Sequence, residues 1–119
     1  MAIGSILSTA VSGLTASSSR AAVAAHNIVN TMTPGFHRSE VVTSSVVTTQ
    51  GSETSYTSGG VRALVRPAPG VATLDAGISE TFLARDFADL ILAETAYKAS
   101  VKMLKTADEM GRQTLDLVG

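Results

Sequence analysis

Few residues in this chain are of a type and spacing that could do chemistry. His26 and His37 are its two histidines, and the Thr33-Pro34-Gly35 break separates them. Neither has carboxylates at metal-ligand spacing, so the sequence offers no zinc-like constellation. His26 reads as part of a packed helix face and His37 as a loop residue. Asp86 and Asp89 share a helix face, but acidic groups early in a helix are accounted for by the positive end of the helix dipole. Gly59-Gly60 precedes no helix in a phosphate-cradling arrangement and reads as a turn. The serines lack a nucleophile-elbow context. With no cysteine, thiol nucleophiles, disulfides and cysteine metal sites are excluded. No catalytic, cofactor-binding or metal-binding residues are expected, and the chain is not expected to be an enzyme.

Composition narrows the partners. Nine basic residues stand against ten acidic ones, so no strong field points to nucleic acid or an anionic membrane. Five aromatics and no tryptophan leave little from which to build a base-stacking platform or an aromatic-lined pocket for a small-molecule substrate. No apolar run approaches the length of a bilayer span. The N-terminal stretch MAIGSILSTAVSGLTA has neither a basic leader nor an uninterrupted apolar core, so signal cleavage is not expected.

The elements are set by apolar spacing. Between Ser79 and Val118 there is no proline and one glycine, Gly111. Phe87, Leu90, Tyr97, Val101, Leu104, Leu115 and Val118 recur at alternating threes and fours, and Glu94, Asp108 and Gly111 interrupt that seam. The spacing predicts a single helix about 60 Å long with a heptad-like stripe. Ser79 suits its N-cap, and Glu80, Asp86 and Asp89 complement its positive end. Glu94–Lys98 and Asp108–Arg112 are i,i+4 pairs in favourable orientation. Twelve charges make one face of this helix a surface for water or a polar lumen. Gly111 is expected to weaken its last two turns.

A second seam runs from Ile3 through Leu7, Ala10, Leu14, Ser17, Ala21 and Ala24 to Ile28 in strict four–three alternation. Its small residues would admit a partner helix closely, while Ile3, Leu7, Leu14 and Ile28 supply the apolar area. Gly4 and Gly13 each cost about 1 kcal/mol against alanine. From Met1 to Phe36 the only charged side chain is Arg20. This poverty fits a Ser/Thr-rich leader of weak helix propensity. It also fits a helix surrounded by protein once assembled, where charges are costly and small polar groups are not. The second reading is preferred. Thr33-Pro34-Gly35 ends the helix, with Gly35 free to turn left-handed. Asn27 and Asn30, in its last turn, are expected to serve helix-end chemistry rather than a ligand.

Between the helices, β-branched residues and turn formers take over. Val41 to Thr49 predicts one or two extended segments, 51–60 a loop, and Val61 to Arg66 a short strand closed by Pro67, with Val71 to Leu74 a candidate partner. The part is too small for a core of its own. The expected fold is therefore mainly α: long terminal helices pairing as a coiled coil, joined by a short β-rich hairpin or arm. Residues 1–36 form the first helix and its stop, 37–78 the connector, and 79–119 the second helix, together one domain. Seam surface left over after such pairing is interface, and a head-to-tail contact that does not close gives a helical filament.

The motif Ser12-Gly13-Leu14-Thr15-Ala16, followed by Asn27-Ile28-Val29-Asn30-Thr31-Met32-Thr33-Pro34-Gly35-Phe36, resembles the N-terminal signature of bacterial flagellar rod and hook proteins. Phe87 to Ala99 (FADLILAETAYKA), with Thr106-Ala107-Asp108-Glu109-Met110, resembles that family's closing helix. Val29, His26, Ser100 and Gly111 depart from its usual residues. The chain is most similar to a short, proximal-rod type of subunit, because only about forty residues separate its helices. The resemblance implies a structural subunit of the basal-body rod, exported through the flagellar type III apparatus without signal cleavage and residing in the periplasm-spanning rod. Its terminal helices would polymerise with other rod proteins and with copies of itself. The interface residues it implies are Ile3, Leu7, Leu14, Asn27, Ile28, Asn30, Pro34, Gly35 and Phe36 at the N-terminal end. At the other end they are Phe87, Leu90, Tyr97, Val101, Leu104 and Leu115. Glu94 and Asp108 would then be polar registers of an assembled tube. The alternative is a small helical-hairpin adaptor or chaperone binding one protein partner.

Overall fold

The computed structural model describes residues 2–46, 59–69 and 80–119. Helix α1 (Ala2–Val29) leads into strand β1 (Ser39–Ser45), then strand β2 (Val61–Pro67), then helix α2 (Glu80–Val118). The fold is mainly helical, as the spacing predicts. Ser79 and the stretch 71–74 lie outside the described residues.

The two helices run antiparallel. Asn27 of α1 reaches Asp86 of α2, while Gly13 lies against Ser100, fourteen residues away along each helix in opposite directions. Alanine lines the join: Ala10, Ala24, Ala93 and Ala107 are each at most 3 % exposed. Among the described residues no large side chain is fully buried. The helices are held together by close approach of small side chains rather than by a bulky core. The approach is close at Gly13, where a Cβ would stand 3.2 Å from Ser100 Oγ and that side chain would have to shift by a few tenths of an ångström.

On α1 the predicted seam is the observed one. Ala10, Ser17 and Ala24 are buried, and Ile3, Leu7, Leu14, Ala21 and Ile28 are half-buried. On α2 the predicted seam is turned by one residue on half of its positions. Leu90 and Leu104 are half-buried as expected, but their alternates are Asp86, Ala93, Ser100 and Ala107 rather than Phe87, Glu94, Val101 and Asp108. The reason is physical: the alanine-lined α1 comes nearest where α2 is also small. Phe87 is left 47 % exposed and Tyr97 43 %, while Val101 keeps partial cover at the margin. The helix continues through Gly111 to Val118 without a break.

Strands β1 and β2 form an antiparallel hairpin, with Ser39 opposite Pro67 and Ser45 opposite Val61. It packs along α1 and runs against that helix's direction. At the helix end, Asn27 Nδ2 donates to Ser39 O (2.8 Å) and Ser39 N–H donates to Asn27 Oδ1 (3.1 Å). Midway, Arg20 donates to Thr43 Oγ1. At the far end, Val61 N–H donates to Ser12 Oγ. Gly60 there has a φ of 78°, and a Cβ would sit 2.2 Å from that oxygen, so both conformation and space demand glycine. Helix α1 therefore has α2 on one side and the hairpin on another.

Candidate assembly interface

The turn after α1 is built as its sequence dictates. Gly35 adopts φ 75°, and Thr33 N–H donates to Asn30 O at 2.9 Å. Asn30 Nδ2 donates to His26 O at 2.9 Å, which is the helix-end chemistry expected of it. The Phe36 ring folds back edge-on to His26 with centroids 5.2 Å apart. His26 is exposed rather than packed in a helix face, because Phe36 covers only one side of it. His37 is an exposed residue of the connecting segment, as read.

Asn27 does more than cap. It is 3 % exposed, and its amide grips both backbone groups of Ser39 as a neighbouring strand would, while also reaching Asp86 Oδ1 at 3.4 Å. Asp86 is equally buried and forms an ion pair with Arg38, from the segment leading into β1. A buried carboxylate is tolerated only when paired and hydrogen-bonded, and here it has both. Helix α1, the hairpin base and α2 thus meet at one polar knot. The knot borders a cleft of about 300 Å³ lined also by Arg20, Glu40, Arg85 and Asp89. Sequence reading assigned Asp86 to the helix dipole and missed this junction. The available signal was the single basic pair-partner Arg38, two residues past the Pro-Gly-Phe turn.

The remaining candidate residues lie at the margins of the helix pair or on open surface. Pro34 and Gly35 are exposed in the turn, Phe36 is half-covered, and Leu115 is 73 % exposed near the end of α2. Glu94 and Asp108 are not registers of the α1–α2 seam. They face outward and pair with Lys98 (2.6 Å) and Arg112 (3.2 Å). The Lys98 ammonium, by hydrogen bond and charge, holds the Glu94 carboxyl below its usual range. Ile91, Leu92, Met103, Met110 and Leu117 are between 47 % and 88 % exposed, a large apolar area for one helix. Among the described residues no group of three metal-ligating side chains comes together, and no helix is long and apolar enough to cross a membrane.

The sequence of α2 has a counterpart among known families. Residues 83–117 match the family described as flagellar basal body rod FlgEFG protein C-terminal. No curated protein gives a significant match to the chain.

Proposed function

We propose that this chain, whose α2 matches the flagellar basal body rod family model over residues 83–117, is a structural subunit of the basal-body rod that polymerises through its terminal helices. The family is structural, and its role lies in the flagellar basal body. The observation that carries the finer reading is an antiparallel helix pair, continuous with the matched segment, that leaves large apolar side chains of both helices open. Val29 and Met32 at one end and Leu115, Leu117 and Val118 at the other are more than 70 % exposed. Surface of this kind at opposite ends of one molecule suits head-to-tail contacts between copies and with other rod proteins.

In this reading the protein reaches the periplasm-spanning rod through the type III export apparatus without cleavage. Segments 1–36, 37–78 and 79–119 act as one domain there. Asn27, Asn30, Pro34, Gly35 and Phe36 shape the end of α1, and Ile3, Leu7, Leu14 and Ile28 hold it to α2. The exposed parts of Phe87, Tyr97, Val101 and Leu115, beside Leu90 and Leu104, face neighbours. Deleting the coding sequence should abolish rod completion and motility, seen by electron microscopy of isolated basal bodies. Intact rods in the deletion strain would defeat the proposal.

A further inference from the structure

Helix α1 has three sides. One joins α2, and an open one carries Val11, Thr15, Ser18 and Ala22. The third lies under the hairpin, and the hold on that hairpin changes from one end to the other. At the Ser39 end the hold is buried. Asn27 binds both backbone groups of Ser39, and neighbouring Arg38 pairs with Asp86 of α2. Midway, Arg20 donates to Thr43 Oγ1 across exposed surface. At the Val61 end, among the described residues, one hydrogen bond to α1 is left, from Val61 N–H to Ser12 Oγ, and it lies at the surface. No residue of β1 or β2 is buried, so apolar packing does not compensate. A two-stranded hairpin is marginal without such packing.

Beneath the weakly held end lies a cost of closure. Thr9 Oγ1 is buried with no hydrogen-bond partner. It belongs to the covered patch, since a Cβ on Gly60 would stand 3.5 Å from Thr9 Cα. A buried hydroxyl left unpaired penalises the closed state by the hydration it has lost. Lifting the Gly60–Val61 end returns water to it. Ser12 Oγ gives up little in the same movement, because it keeps its own bond to Thr9 O at 2.7 Å and water replaces Val61.

We propose that the hairpin is a strap on α1, hinged at its buried Arg38–Ser39 base and opening from its Gly60–Val61 end, with the unpaired Thr9 hydroxyl biasing it toward opening. Opening uncovers Thr9, Ser12 and Ala16, none of them charged. Ala16 stands one turn beyond Ser12 and is 6 % exposed in the closed state. The base and the helix pair stay as they are. The strap thereby governs access to this strip of α1. The device belongs to the single chain and stands apart from the rod reading.

Backbone amide exchange of the purified full-length chain, followed by NMR and corrected for intrinsic rates, tests it. Val46 N–H donates to Gly60 O and Ala68 N–H to Arg38 O, so the ladder bonds fall on even-numbered residues and odd-numbered N–H groups point off the edges. The Ser39 and Val61 amides therefore report the hold on α1 at its two ends, not strand pairing. Val61 should exchange on the order of tenfold or more faster than Ser39. Thr9→Val, which keeps the shape and removes the hydroxyl, should slow Val61 about tenfold and leave Ser39 unchanged. Equal protection at the two ends of the wild-type hairpin would overturn the hinged strap, whether or not any variant folds. No slowing in Thr9→Val, or the same slowing in Thr9→Ser, would overturn the role given to the hydroxyl.

Discussion

The two helices of this protein were given opposite answers to one question, where charge is allowed. Helix α1 has one charged residue in its span, Arg20, and that side chain is used against the hairpin at Thr43. Helix α2 has twelve, and from Glu94 onward they crowd one face. The difference follows from cover. Helix α1 is flanked by α2 and by β1–β2 within its own chain, so much of its circumference is lost to water before any assembly. Helix α2 lends one face to α1 and keeps the rest. The charge poverty of α1 is thus already explained in part inside the single molecule, without a neighbouring copy.

The strongest way to break this comparison is to place a charge where α1 is covered. Ala24→Glu puts a carboxylate at a position 3 % exposed, facing α2. The longer side chain overpacks the alanine-lined join and desolvates its carboxylate at the edge of a cleft that Arg20 and Arg85 also line, so the expected loss is about 3 kcal/mol, read as an early urea midpoint by circular dichroism. Ala22→Glu, two residues away on the open face, should change monomer stability by less than about 0.5 kcal/mol. Equal losses from the two would mean that α1 is not divided into covered and open faces.

A smaller effect tests the knot where both regions meet. Asp86→Ala removes the acceptor from Arg38 and from Asn27. Breaking a fully buried pair costs about 3–5 kcal/mol, but the Arg38 side chain retains 18 % exposure and recovers some hydration. The expected loss is therefore about 2 kcal/mol in the same urea titration, with Asp86→Asn intermediate. If Asp86→Ala unfolds at the wild-type midpoint, the hairpin is held to the helix pair by its other contacts, and the knot is incidental.

Legibility followed side-chain size. The α1 seam, the Pro-Gly stop with its left-handed Gly35, and the strand at Val61 were plain in the sequence, because periodicity and turn chemistry act locally. The α2 seam was misplaced at alternate positions because Phe87 and Val101 outweigh Ala93 and Ser100 in an apolar count. In an alanine-lined helix pair the small residues mark the line of closest approach. The Asn27–Asp86–Arg38 junction was hidden for a different reason. Its members lie far apart in sequence, and each has a sufficient local explanation: helix end, helix dipole, loop base. Only the antiparallel pairing brings them together.

The smallest effect sharpens the charged face itself. Glu94 and Lys98 pair at 2.6 Å on a surface where their side chains are 62 % and 73 % exposed. The folded carboxyl titrates below its usual value because Lys98 donates to it and carries the opposite charge. A folded value lowered in this way adds stability above the unfolded glutamate value, and that stability is lost as the pH falls through the folded value. Glu94→Gln removes the linkage. The wild-type protein should melt slightly later than the variant at neutral pH and low salt, with the gap closing in acid. It should also shrink at high salt, since an exposed pair is screened. A gap that survives both acid and salt would show that Glu94 acts through something other than its charge, and that the face is covered rather than left to water.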